Sequence, residues 1–440
     1  MMKYETYKPS EVQLLGDIPS HWAVKRNKDF CLIKGRIGFR GYTKDDFVDE
    51  GKGALVIGAT EMNENGYIYV ANPQFISWFK YYESPEIILE TGDILVVQRG
   101  STVGKVAIVD ERIKDATINP SLVILKKIKI DNKFLLFYLM SANVQGFIKA
   151  QTATTAIPMI SQDQIGKYEI CIPPPDEQTA IAQYLDAKTQ AIDKKINLLT
   201  KKAETYKELR KSIINDAVCK GLDKKVKLKE SGIDWIGKIP EHWEVQRIKD
   251  IFSSLAGGTP STKEKDYWIG EIPWIPSGKV QNNIVVPEVV EDFISEKALK
   301  ESSTKIAKQN SILIALTGAT CSNIGYSTFD TTINQSIVAL LPKSKLTPKY
   351  YFYFLISGSE KIRTYMTGGA QGGINQEDVK FLKVLLPLKE EQTTIANYLD
   401  EKTQKIDAIV SNIGKQIDTL KELRKTLIND VVTGKIMVNG

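Results

Sequence analysis

Histidine is nearly absent from this 440-residue chain: His21 and His242 are the only two. A metal or acid–base centre built on imidazoles would have to take one ligand from each half of the chain, which makes a poor site. Cysteine is scarce as well. Cys31, Cys171, Cys219 and Cys321 lie far apart without metal-ligand spacing, so a reducing compartment, the cytoplasm, is expected. No apolar run approaches the roughly 18 residues of a membrane span, and the opening MMKYETYKPSEV lacks the pattern of a secretory leader.

Catalytic signatures are missing too. Gly100-Ser-Thr-Val-Gly104-Lys105 resembles a phosphate loop, but its glycine spacing is one short of GxxxxGK and Val106 stands where a Mg-binding Ser or Thr is needed. Pro175-Asp176 with Asp186-Ala-Lys188 fits a loose nuclease pattern. Two positions apart on a helix, however, Asp186 and Lys188 face different ways. Neither the [DN]PP[YF] of adenine methyltransferases nor GxSxG occurs. The expectation is a chain that is not an enzyme, with no metal or cofactor bound by itself and no membrane partner.

What is present is a duplication. EQTAIAQYLDAKTQAID (from Glu177) and EQTTIANYLDEKTQKID (from Glu391) share a frame at an offset of 214 residues, and KELRKSIIND and KELRKTLIND repeat at the same offset. Each stretch of about 44 residues, Asp176 to Cys219 and Glu390 to Thr433, is free of proline and carries apolar residues every seven positions. These are Leu185, Ile192, Leu199, Tyr206 and Ile213 in the first, and Leu399, Ile406, Ile413, Leu420 and Leu427 in the second. The spacing predicts two helices of roughly 60 Å whose narrow stripes pair with each other as an antiparallel coiled coil. Gly414 argues mildly against a perfect coil.

A second duplicated signature opens each half: GxIPxHWxVxRxKD places Pro19, His21, Trp22 and Arg26 opposite Pro240, His242, Trp243 and Arg247 at an offset of 221. The simplest reading is a turn that anchors each globular segment against a helix end. Between the signatures, β-branched runs broken by Gly, Pro and Asn read as strands. They are ALVIGAT, DILVVQRGSTVGKVAIVD and SLVILKKI in the first half, and EIPWIPSGKV, SILIALTGATCSNIGYSTF and SIVALLP in the second. A helical segment follows each set, KFLLFYLMSANVQGFI and KYYFYFLISGSEKIRTYM. The predicted fold is α+β with an internal pseudo-twofold repeat. Its parts are a mostly β domain over 1–172, a long helix over 173–221, a second mostly β domain over 222–386, and a long helix and tail over 387–440. The two helices carry a net −1, so the globular segments carry +7, and attraction to a polyanion should arise there.

With its P…EQxxIAxxLD helices, this duplicated architecture resembles the specificity subunit of type I restriction-modification systems. The most specific signatures are Pro175-Asp-Glu-Gln178 through Leu185-Asp186 and the copy around Gln392, Ile395, Leu399 and Asp400. The stretches GRIGFRGYTK (Gly35 to Lys44), RGSTVGKVAIV (Arg99 to Val109) and GGTPS (Gly257 to Ser261) resemble motifs of the family's target recognition domains. The resemblance implies a DNA-binding subunit that reads a bipartite, asymmetric site on double-stranded DNA, one half per domain. It also implies helices that set the spacer and dock two methyltransferase subunits, which carry S-adenosylmethionine and modify adenine. Two restriction subunits that use ATP and Mg complete the complex. The pattern is departed from at Pro387-Leu388-Lys389-Glu390, where the first copy has three prolines, so a different entry angle is expected for the second helix.

Base reading needs polar side chains on loops that can enter a groove. The first-domain candidates are Arg36, Arg40, Arg99, Ser101, Thr102, Lys105, Thr152, Thr154 and Thr155. Those of the second are Thr259, Ser261, Thr262, Lys279, Gln281, Asn282, Thr317, Thr320, Gln371 and Asn375. Arg99 and Gln371 suit bidentate contact with guanine and adenine respectively. An adaptor that binds protein partners through the same loops is the alternative from another class.

Overall fold

The structure, a computed structural model, describes residues 2–12, 15–37, 41–153, 157–343, 346–364 and 372–438. The chain divides into two compact units, Met1–Thr200 with Lys415–Gly440, and Lys201–Gly414. None of its helices among the described residues is long and apolar enough to cross a membrane.

In the first unit the strands Ile94–Val97 and Leu122–Lys126 are buried at every position, as expected of strands covered on both faces. They pair antiparallel, flanked by Leu32–Gly35 and Val106–Ile108. Alternation along them splits the core in two. Leu95, Val97, Leu122 and Ile124 pack with Ile57 and Ile118 of a second four-stranded sheet. Ile94, Val96, Val123 and Leu125 face helical residues, Phe134, Leu135 and Tyr138 among them. Sheet, sheet and helix thus form three layers.

The second unit repeats the plan. Ile312–Ala315 and Ile337–Pro342 pair antiparallel in a five-stranded sheet. Leu313, Ala315, Ile337 and Ala339 face Ile275 and Ile333 of the neighbouring sheet, and Ile312, Ile314, Val338 and Leu340 face the helix Pro348–Arg363. Its counterpart in the first unit is two helices, Asn132–Met140 and Ala142–Thr152, broken at Ser141, where the sequence suggested one. Several paired strands, such as Ala116–Ile118 and Thr331–Ile333, are too short to show in the sequence pattern.

The long helices run Pro175–Lys220 and Lys389–Val432. Each belongs to both units: residues 175–200 and 415–432 lie in the first, 201–220 and 389–414 in the second. In the first unit Ile181, Ala182 and Leu185 share a core with Leu427, Ile428 and Val431; in the second Ile214, Ala217 and Val218 share one with Ile395, Ala396 and Leu399. Low numbers on one helix meet high numbers on the other, so the segments are antiparallel in each unit. All ten residues of the heptad stripes are buried or half-buried. Gly414 lies inside an unbroken helix.

Two ion pairs fix the register. Asp193 meets Arg424 Nε at 3.1 Å in the first unit, and Asp407 meets Arg210 Nε at 3.0 Å in the second. At the repeat offset of 214, Asp193 maps onto Asp407 and Arg210 onto Arg424, so these are the same bridge made twice.

The repeated signatures explain themselves as joints. In the first unit His21 Nε2 lies 2.9 Å from Glu177 Oε2, and Trp22 Nε1 donates to Glu177 Oε1 at 3.2 Å. His242 and Trp243 hold Glu391 in the same way at 2.9 and 3.2 Å. Both tryptophans are fully buried. On its other side each meets the end of the opposite long helix. A Cβ on Gly434 would lie 3.4 Å from the Trp22 ring and 2.3 Å from Pro19, and one on Gly221 would lie 3.3 Å from Trp243. Gly434 has a φ of +74° and closes its helix with Lys435 N–H bonded to Asp430 O at 2.8 Å, as a left-handed glycine cap does.

The EQ…LD letters are likewise structural. Gln178, buried, accepts from Asp131 N–H at 2.9 Å and donates to Pro173 O at 2.8 Å; Gln392 accepts from Thr347 N–H at 2.9 Å and donates to Pro387 O at 2.9 Å. The two helices therefore begin with the same bonds.

Candidate nucleic-acid interface

In each unit the polar loops that follow three strands gather at one edge. In the first, Asn119 N–H bonds Ile57 O at 2.9 Å, which sets the loop after Ala116–Ile118 beside the loop after Gly53–Ile57. Gln98 N–H bonds Ser121 O at 2.8 Å, and Gln98 Nε2 donates to Pro120 O at 3.0 Å, adding the loop after Ile94–Val97. A fourth segment joins through Gly100 N–H to Pro158 O at 3.0 Å and Ile160 N–H to Gln98 O at 2.9 Å.

The second unit carries the same frame. Asn334 N–H bonds Ile275 O at 3.0 Å, Leu316 N–H bonds Ser336 O at 2.8 Å, and Ile374 N–H bonds Leu316 O at 2.9 Å. Arg99 bridges Met159 as Thr317 bridges Gly373. Glycine is required at the fifth segment of this edge: a Cβ on Gly257 would sit 2.0 Å from Asn334 O. The polar side chains on the matched frames differ. Arg99, Ser101 and Thr102 are exposed in the first edge, Thr317 and Gln335 in the second.

Residues 19–202 and 240–419 match the type I restriction modification DNA specificity domain family. The chain belongs to that family. Specificity subunits of this kind are non-catalytic parts of type I restriction-modification enzymes, and this one is a DNA specificity subunit. It is 26% identical over 437 residues to the type I restriction enzyme MjaVIII specificity subunit of Methanocaldococcus jannaschii, covering 96% of this chain and 95% of the relative. It is also 26% identical over 314 residues to the EcoR124I/EcoR124II specificity subunit of Escherichia coli, covering 67% and 69%. Two solved structures share the fold. One is described as the structural basis of complex assembly and conformational transition of the type I R-M system, with a TM-score of 0.74 at 16% identity over 95% of this chain and 99% of that chain. The other is the crystal structure of the HsdS subunit from Thermoanaerobacter tengcongensis, with a TM-score of 0.51 at 16% identity over 95% and 98%.

Several polar residues singled out in the sequence of this specificity subunit are tied into the protein. Arg36 is buried, its Nη2 donating to Thr117 Oγ1 and Ile118 O at 3.3 Å, with the guanidinium 4.8 Å from the Tyr42 ring centroid. Burial lowers its pKa. Lys105 turns inward to Ala59 O at 3.5 Å and Glu64 at 3.6 Å. Thr152 is buried and donates to Ile148 O at 3.0 Å.

In the second unit Thr259 bonds Gln335 at the edge, and Lys279 pairs with Glu291 at 2.6 Å. Gln281 is exposed and reaches back to Gly278 O at 2.9 Å, while Asn282 accepts from Ile324 N–H at 2.9 Å. Ser261 and Thr262 are exposed beyond the edge, Thr320 donates to Thr317 O at 3.4 Å, and Asn375 caps the helix Gln376–Phe381. Arg40, Thr154, Thr155 and Gln371 lie outside the described residues. Gln335 and the Asn119 and Asn334 turns were missed, although INPSLVIL (118–125) and INQSIVAL (333–340) form a third repeated frame.

Proposed function

We propose that each loop edge reads one half of a bipartite, asymmetric site on double-stranded DNA and that the paired long helices set the undefined spacer between the halves. The observation that carries this is the matched backbone frame holding unlike side chains, Arg99 where the other edge has Thr317 and Pro120 where it has Gln335. Arg99 is an exposed guanidinium with no hydrogen bond or ion pair among the described residues, suited to guanine O6 and N7. Ser101 and Thr102 flank it. Gln335, Thr317 and, beyond the described residues, Gln371 serve the second half-site. Arg40, Thr154 and Thr155 belong to the first reader by position in the chain, and Ser261, Thr262, Gln281 and Asn375 flank the second.

The helices dock two methyltransferase subunits that carry S-adenosylmethionine and modify adenine, and two restriction subunits that use ATP and Mg join them in the cytoplasm. Readers facing the same side of a duplex must stand about one helical turn, ~34 Å, or a multiple of it apart. Stiff helices can hold such a distance. The test replaces residues 30–165 with those of another specificity subunit and sequences the methylated sites made by the reconstituted methyltransferase. One half of the target is expected to change. A change in both halves would overturn the reading of independent domains.

A further inference from the structure

One set of contacts in the first unit has no counterpart among the described residues of the second. The hairpin over residues 61–69 leaves the reading edge directly after Gly58, its strands joined by Asn63 N–H to Tyr67 O at 2.9 Å and a Met62–Ile68 bridge. Its base belongs to the edge, because the Glu61 carboxylate accepts from Gly58 N–H at 2.9 Å and Thr60 Oγ1 at 2.8 Å. Its tip belongs to the long helices. Tyr67 donates its hydroxyl to Asp186 Oδ1 at 3.1 Å on the first helix, and Asn65 O accepts from Arg424 Nη2 at 3.5 Å on the second. Glu64 adds the pair with Lys105 on the neighbouring loop. The same Arg424 bridges Asp193, so the tip touches the helices at the pair that fixes their register.

The corresponding segment of the second unit keeps only the bond to the sheet, which the hairpin also makes through a parallel Tyr67–Ile108 bridge and Ile108 N–H to Gly66 O at 3.0 Å. Asn282 accepts from Ile324 N–H, Val280 O accepts from Asn323 Nδ2 at 3.1 Å, and Asn283–Val285 runs parallel to Ile324–Ser327. Among the described residues it makes no hydrogen bond or ion pair to either long helix. Asp400, the repeat-mate of Asp186, is held by Lys349 and by Tyr353 at 2.7 Å, both from the helix Pro348–Arg363.

We infer that the 61–69 hairpin is a strut that keys the first reading edge to the helix pair, and that Tyr67 and Arg424 are positioning residues for spacer-length discrimination. This deepens the spacer role proposed above and rests on it. Without the strut, the edge keeps its base contacts but gains freedom along the duplex. Discrimination against wrong spacers should then fall while base choice within each half-site stays the same. A role in folding alone would not produce that split.

The test uses the full chain reconstituted with its methyltransferase subunits. Methylation is compared on duplexes carrying the natural spacer and spacers one base pair longer and shorter, for wild type, Tyr67→Phe and Arg424→Lys. Phe removes one hydroxyl; Lys keeps the charge beside Asp193 but shortens the reach to Asn65 O. Circular dichroism and thermal unfolding check that each variant is folded. Each variant is expected to lose about ten-fold of its spacer discrimination, the lower end for a hydrogen bond to a charged group, with an unchanged half-site sequence preference. Folded variants as strict as wild type overturn the strut alone, and so do variants whose half-site preference relaxes as much as their spacer preference. A wild type indifferent to spacer length would overturn the spacer role itself, a result distinct from either.

Discussion

The two readers grip the same point of their long helices with one hand in common and one different. Asp186 and Asp400 occupy equivalent positions, yet Asp186 is reached by Tyr67 from the reading hairpin together with Lys133 at 2.6 Å, and Asp400 by Lys349 and Tyr353 from one helix. In the second unit the path to the reading loop runs along that helix, whose far end sends Arg363 Nη2 to Ala319 O at 2.6 Å. In both units a lysine from the matching helix holds the aspartate, and only the element that supplies the tyrosine differs. A scaffold of this kind tolerates different fillings between fixed joints.

The comparison breaks hardest at the joints the units share. Replacing Trp22 or Trp243 by Ala removes a fully buried indole and should cost ~3–5 kcal/mol each. Thermal unfolding followed by hydrogen exchange should localise each loss to its own unit. Equal loosening of both units by either variant would mean that the joints are not separate.

Next come the paired bridges, chemically identical but unequally buried. Arg424 and Asp193 have side chains only 10% and 17% exposed, against 23% and 58% for Arg210 and Asp407. Removing one partner of a well-buried pair strands the other charge, so Arg424→Ala should cost ~2–3 kcal/mol, somewhat below the full-burial range. Arg210→Ala should cost ~1 kcal/mol or less. Denaturant unfolding of the two variants checks the ranking, and equal losses would show that burial does not separate the bridges.

The smallest effect is in pH. Burial pushes the Asp186 carboxyl up, but the bonds from Lys133, Gln190 and Tyr67 outweigh it and hold the group below the usual aspartate range. A folded pKa below the unfolded one stabilises above the unfolded value, ~3.9, and that contribution is lost as pH falls through the folded value. Asp186→Asn should therefore flatten the acid limb of the first unit's stability curve and leave the second unit's alone. An unchanged acid limb would rule the carboxylate out as a source.

Much of this was legible in the letters. The seven-residue stripes placed both helices because a long uninterrupted period survives any tertiary context, and the HW and EQ signatures marked joints because two independent copies kept them. The loop edge was only half legible. Arg36 looks like a groove-reaching cation, yet it lies under the sheet with its guanidinium on Thr117 and Ile118. Lys105 turns inward, and Asn282 and Asn375 spend their side chains on backbone amides. Polar residues near glycine satisfy local backbone groups as readily as they face solvent, and sequence pattern does not separate the two. Gln335 stands just before the apolar run SIVALLP, whose strand pattern carries no sign of the turn that precedes it.

The way the last helix closes the first unit bears on how the protein is made. Trp22, Ile181 and Leu185 have their covering only when Leu427, Val431 and Gly434 arrive, 227 to 234 residues after the first unit's own stretch of chain ends at Thr200. At ~5–20 residues per second of translation, the nascent first reader waits roughly 10 to 50 seconds on the ribosome with an apolar seam open, while the second reader has its whole chain out as soon as Gly414 emerges.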